Sequence, residues 1–142
     1  MSSRKVMFCS REHQEFFFDM MNRCKIKDSY CRAFFYITGI AEETRKHIEK
    51  LFDFKRSGVI PEGINGGWQT SSTMRVCRLA FNLWNGYTEE GNEEASTPYD
   101  LFCCEFAPFF MEGIRLRYLE YCGEYPLLQV VYEMEGENDD EL

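Results

Sequence analysis

The stretch whose residue types come nearest to a binding site is GINGGWQTSST, followed by Arg75 and Arg78. Helix N-termini attract anions, because their first N–H groups are free and the helix dipole favours negative charge. Gly66 and Gly67 allow close backbone approach, the hydroxyls of Thr70, Ser71 and Ser72 follow, and Arg75 lies one turn into the helix. The expected ligand is a phosphate or carboxylate, on a small molecule or a nucleotide. This is not a Walker loop, since the lysine and the GxxxxGK spacing are missing. The plainer reading makes Ser71 or Ser72 a simple cap and pairs the arginines with acids at the rim of the core.

Other constellations are thinner. Structural zinc wants four ligands in paired knuckles, whereas six residues separate Cys24 from Cys31 and Cys103 adjoins Cys104. No metal site or cofactor is expected, although a structural zinc remains an alternative. Free cysteine behaves as a small core hydrophobe, and at least five of the seven fall within apolar faces. His13 and His47 are single, so nothing locates a Cys–His pair and no catalytic residue is assigned. Glu105 and Glu112 can share a helix face as an acid pair, but acids on the helix surface, paired with Arg115 or Arg117, explain them more simply. Glu89, Glu90, Glu93 and Glu94 form an acidic loop beside Tyr87. Such a cluster can engage an arginine-rich groove, because Arg–carboxylate pairing is bidentate and competes with phosphate. The alternative is a solubilising surface.

A chain of 142 residues with 44% hydrophobic and 16% aromatic content makes one domain with a real core. The net charge is −8, but the last ten residues carry six acids and no base, leaving the rest at −2. Basic residues are scattered, so direct contact with a phosphate backbone is not expected. No apolar run approaches the ~20 residues that span a bilayer, and the leading residues lack a signal-peptide core. A soluble cytoplasmic protein with reduced thiols is the expectation.

The elements follow from spacing. Residues Trp68 to Asn85 hold the central helix: Thr73, Val76, Cys77, Ala80, Phe81 and Trp84 share a broad apolar arc, extended by Leu79 and Leu83. Upstream, Ser10 caps a helix to about Lys25 whose inner face is His13, Phe17, Met20, Met21 and Cys24. Asp28 caps an almost continuously apolar second helix, SYCRAFFYIT, which reads as buried. A third helix is expected over AEETRKHIEKLFDF, with Thr44, Ile48, Leu51 and Phe52 on one face. A long glycine-rich loop precedes the central helix and an acidic one follows it. Thr97-Pro98 starts a helix through PYDLFCCEF, broken at Ala107-Pro108. The last helix turns Phe110, Ile114, Tyr118 and Tyr121 inward.

These strings carry a resemblance. SREHQEFF, DSYCRAFFYITGIAEETRKHI, IPEGINGGWQTSST, RVCRLAFNLWNG and STPYDLFCCEFAPFF, spread from Phe8 to Cys122, resemble a family of small uncharacterised proteins associated with bacterial phages, plasmids and conjugative elements. The resemblance implies no catalytic residue. It implies a context in which small proteins often engage host factors, defence nucleases among them.

The reading is thus an all-α domain over residues 1–123, of five or six helices packed around a central helix at about 71–85. Residues 124–142 are expected to be an extended segment and acidic tail, with a short strand at 127–134 that would offer an edge to a second copy as a homodimer. The expected function is a non-enzymatic interaction protein of a mobile element that binds and blocks a host protein such as an RNA-guided nuclease.

Overall fold

Two short polar residues set the first helices. Ser10 accepts from the His13 N–H at 3.0 Å to open α1 (Arg11–Arg23), and Asp28 accepts from Cys31 N–H at 2.9 Å to open α2 (Ser29–Thr38). The computed structural model describes residues 5–122. In chain order there follow α3 (Glu42–Lys46), β1 (Phe52–Asp53), β2 (Gly58–Val59), α4 (Ser71–Asn85), α5 (Pro98–Leu101) and α6 (Ala107–Arg117). Short 3-10 turns at Ile48–Lys50, Pro61–Asn65, Glu93–Ser96 and Leu119–Cys122 connect or extend them. The fold is all-α. Among the described residues the only sheet is the β1–β2 hairpin, antiparallel with Phe52 opposite Val59.

The core lies on both sides of α2. Every residue from Cys31 to Ala41 is buried, so α1, α4 and α6 surround α2, and α2 takes the central place expected of the helix at about 71–85. α4 lies across it with Thr73, Val76, Cys77, Leu79, Ala80, Phe81 and Leu83 buried, the arc that the helical spacing predicts. Phe34 is the meeting point. Its ring packs against Phe35, Phe52, Phe81 and Trp84 at centroid separations of 5.2 to 6.0 Å. Aromatic pairs at such separations add to the gain from burial alone.

The structure corrects several expected boundaries. The third helix stops at Lys46, and Phe52–Asp53 is a strand rather than its last turn. Asp53 Oδ1 accepts from the N–H groups of Lys55 and Arg56 at 3.0 and 3.1 Å, which folds the chain back through Ser57 at φ 56°. That local turn competes with helix, as short Asp side chains do. Thr44, Ile48, Leu51 and Phe52 are all buried nonetheless, by a bend instead of a helix face.

The fifth helix ends at Leu101, short of the expected Phe106, while Pro108 sits in the first turn of α6, where the last helix is expected to begin and its missing N–H costs nothing. α6 is also rotated from the expected face. Phe110 is buried, but Tyr118 and Tyr121 are exposed, and Glu112, Gly113 and Leu116 point inward. Gly113 sets this rotation: a Cβ there would stand 2.2 Å from Ile37 Cδ1, so the helices touch through its bare backbone. Only three cysteines, Cys24, Cys31 and Cys77, are buried; Cys9, Cys103 and Cys122 are exposed. The strand expected at 127–134 and the acidic tail lie outside the described residues.

Gly113→Ala tests the α2–α6 contact by its sign. Alanine in a helix interior normally stabilises by roughly 0.5–1 kcal/mol relative to glycine. Here a net destabilisation in urea melts is expected, because Ile37 must move. An unchanged or raised midpoint would contradict the packing.

Candidate functional site

A carboxylate, an imidazole and a thiol each fasten the extended segment before α1, through separate contacts. The Met7 N–H donates to Glu112 Oε2 at 2.9 Å, and the Tyr36 hydroxyl donates to the Met7 carbonyl. Two residues on, the Cys9 N–H donates to His13 Nδ1 at 3.1 Å. Because Nδ1 accepts, the proton is on Nε2, which donates to the Tyr36 carbonyl at 2.7 Å. Burial drives the His13 pKa down to about 4, so the ring is neutral. Glu112, itself buried, is held in a bidentate pair by Arg115 at 2.8 and 3.0 Å.

The chemistry of this cluster is closure. Both imidazole nitrogens are engaged with backbone, so no lone pair is left to take a proton from a thiol. The Cys9 thiol donates to the Ile40 carbonyl at 3.5 Å, and although the residue is exposed, partial desolvation of its sulfur raises its pKa. The three groups tie residues 7–9 to α1, α2 and α6. The spacing predicts Glu112 as a surface acid paired with Arg115 or Arg117; the Arg115 pair forms, but Glu112 is buried. The missed signal is the adjacent Gly113, which brings that side of α6 against α2.

The glycine loop is packed rather than open. Thr70, not Ser71 or Ser72, caps α4: its hydroxyl accepts from Thr73 N–H at 3.2 Å, and Thr73 Oγ1 receives the Thr70 N–H at 2.7 Å. Gly66 makes room for the Trp68 indole, since a Cβ would meet Nε1 at 2.4 Å, and Trp68 stacks in parallel on His47 at 4.3 Å. Gln69 donates to the Gly63 carbonyl at 3.0 Å and to Cys77 Sγ at 3.4 Å, pinning the loop to α4. Gly67 is exposed, as is Ser71, while Ser72 is half-buried. Arg75 Nε donates to the Asp100 carbonyl at 3.1 Å, which commits it towards α5. The structure therefore places Arg75 away from the loop it was expected to serve.

The acidic residues divide. Glu89 is half-buried in an ion pair with Arg78, its side chain 21% exposed. Glu90, Glu93 and Glu94 are exposed, and among the described residues none of them forms an ion pair. Glu93 Oε2 accepts from Gly91 N–H at 3.1 Å; hydrogen bonds from its own N–H and that of Gly91 hold its carboxyl below the usual range. The neighbouring aromatic is not the expected one. Tyr87 packs edge-on against Phe81, and burial followed by Glu89 and Glu62 raises its hydroxyl pKa. Tyr99, on α5 against the Glu93–Ser96 turn, is 86% exposed instead.

A family model for proteins of unknown function, DUF6075, matches residues 3–129. The chain belongs to this family. The match contains every string from which the resemblance was read, and it gives the DUF6075 chain no activity. Neither a curated protein nor a solved structure matches it. For a DUF6075 protein, function must therefore be argued from the groups above.

The buried imidazole gives a pH prediction. The folded-state pKa of His13, about 4, lies below the ordinary imidazole value of 6.5. The unfolded chain thus binds the proton first, and stability, complete above pH 6.5, falls as pH drops towards 4. Urea melts should lose roughly 2–3 kcal/mol from this group between pH 7 and 4.5. His13→Gln should flatten that part of the slope; an identical slope would refute the assignment.

Proposed function

We propose that this DUF6075 protein is a non-enzymatic interaction protein that binds and blocks an arginine-rich groove on a partner. The observation that carries the reading is the corner formed by Glu90, Glu93 and Glu94, unpaired among the described residues and flanked by exposed Tyr99. Carboxylates already balanced within the fold gain little from a partner, whereas these three retain their charge for one. Arginine guanidinium groups pair with carboxylates bidentately and stack on tyrosine, so the corner matches a site built for a nucleic-acid backbone. A fixed acidic corner also speeds encounter with a basic partner.

The finer reading, carried by the resemblance, is a mobile-element protein acting in the bacterial cytoplasm on a defence nuclease, an RNA-guided one in particular. Among the described residues no helix is long and apolar enough to cross a membrane. The anion-binding alternative at Gly66, Gly67, Thr70, Ser71, Ser72 and Arg75 has less support, because Thr70 caps its own helix and Arg75 is engaged elsewhere. The zinc alternative has no group of three or more potential ligands among the described residues to rest on.

The test joins capture with inhibition. Tagged protein should retain a host protein from bacterial lysate at low salt and inhibit DNA cleavage by a purified RNA-guided nuclease. The combined variant Glu90→Lys, Glu93→Lys and Glu94→Lys should need roughly tenfold more protein for the same inhibition, with its melt unchanged. Retention of no protein at low salt would end the proposal. Inhibition that is indifferent to the triple variant would move it to another surface.

A further inference from the structure

A cavity of about 160 Å³ lies where the α1–α2 turn meets the β-hairpin, and none of its walls belongs to the acidic corner or the His13 cluster. Four walls are apolar: Cys24, Cys31 and Phe52 are buried, and Trp84 is half-buried. The Phe52 and Trp84 rings meet edge-on at 5.5 Å, so an aromatic corner lines the space. Ile26 stands at the mouth, 61% exposed, an apolar side chain that a bound molecule would cover. A cavity of roughly 150 Å³ takes a single benzene ring, so this one suits one six-membered ring.

Asp28, Lys25 and Ser57 share the lining, and they are not equally committed. Asp28 is in use: its Oδ1 accepts from the Cys31 N–H at 2.9 Å, and the N-terminal end of α2 offsets its charge. Lys25 is exposed and forms no ion pair among the described residues; its ammonium reaches only the Lys55 carbonyl, at 3.5 Å. The Ser57 hydroxyl has no hydrogen-bond partner among the described residues. Ser57 is also the only non-glycine residue at positive φ among those described, at 56°. Strained backbone of this kind recurs where a fold shapes a site. The two uncommitted groups are thus both donors, one of them cationic. What they lack is an acceptor, and a carboxylate satisfies both.

We propose that the cavity is a binding site for a small monocyclic aromatic carboxylic acid, of the size of phenylacetate. The ring fills the space between Cys24, Cys31, Phe52 and Trp84, where its burial supplies most of the affinity. The carboxylate stays at the mouth, paired with the Lys25 ammonium and hydrogen-bonded by the Ser57 hydroxyl. Lys25 exchanges a 3.5 Å contact with a neutral carbonyl for a charge-assisted hydrogen bond, a favourable change of partner. An aromatic amine suits the walls but not the mouth: its ammonium would meet Lys25, while Asp28 already serves the helix. The bound acid would join the α1–α2 turn to the hairpin through one molecule. The site does not depend on the acidic corner, and either reading can fail alone.

The experiment titrates the whole, isotope-labelled protein with phenylacetate and follows it by NMR. Shifts should concentrate at residues 24–31, 52–57 and 84, with intermolecular NOEs from the ring protons to Phe52 and Trp84. Lys25→Met should weaken binding about tenfold, the loss expected of one charge-assisted hydrogen bond. Phenylacetamide, neutral and of the same shape, should bind the wild type more weakly by a similar factor. Ser57→Gly removes the hydroxyl while suiting the positive φ, so it should weaken binding without loss of stability. The ligand series on the wild-type protein decides the matter if a variant does not fold. Absence of shifts at millimolar phenylacetate would overturn the proposal, as would NOEs to other residues alone. Equal binding of phenylacetamide, tighter binding of benzylamine, or unchanged affinity in both variants would do the same.

Discussion

Enclosure of α2 is the constraint from which the rest of the molecule follows. Its sequence is apolar almost all round, and every residue from Cys31 to Ala41 is buried. A helix of that kind cannot lie on a surface, and its burial requires partners on every side. α4 supplies one, α6 another, α1 a third, and the hairpin brings Phe52 to the end near Phe34. The close approach of α6 depends on Gly113, and that of the hairpin on the turn that Asp53 stabilises. Polar groups drawn inside must then be satisfied. Thr38 and Thr44 hydroxyls donate to carbonyls of Phe34 and Thr38, which closes the α2–α3 bend.

Among the described residues Arg32, Trp68 and Ser96 each leave one buried polar atom without a partner, and Arg32 carries a charge as well. Arg32 is 3% exposed on α2, reaches the Leu116 carbonyl only at 3.5 Å, and its Nε has no partner among the described residues. Burial lowers its pKa to about 10, against the attraction of Glu120 and Asp28. By contrast, the Glu112–Arg115 pair, the His13 ring and the Tyr36 hydroxyl are each used to fasten residues 7–9 across three helices. The molecule spends its best acid–base groups on holding itself together, which leaves its surface as the place for recognition.

The elements whose signal is local were legible in the sequence. Ser10, Asp28 and the apolar arc of α4 are caps and periodicity, and they stand where spacing places them. What escaped depends on contacts distant in sequence. At Phe52 a local turn at Asp53 competes with helix, and the outcome is decided by the pairing of Phe52 with Val59 and by the packing of Phe52 against Phe34 and Trp84. The inward face of α6 is chosen by a glycine against Ile37, seventy-six residues away, a choice that helical periodicity cannot see. The candidate sites divide in the same way. The acidic loop is a composition signal and is exposed, while Arg75 and Tyr87 took other partners once α5 and Phe81 were beside them. The spacing treats Cys24 and Cys31 as two separate core residues; both are buried, and the fold sets them on the wall of one cavity.

Native-state hydrogen exchange across α2 tests the central claim most directly. If that helix is enclosed on all sides, the amides of Ala33 to Thr38 can exchange only by global unfolding, with a free energy equal to that from urea melts. Exchange of those amides through a smaller opening, while α4 stays protected, would contradict the account.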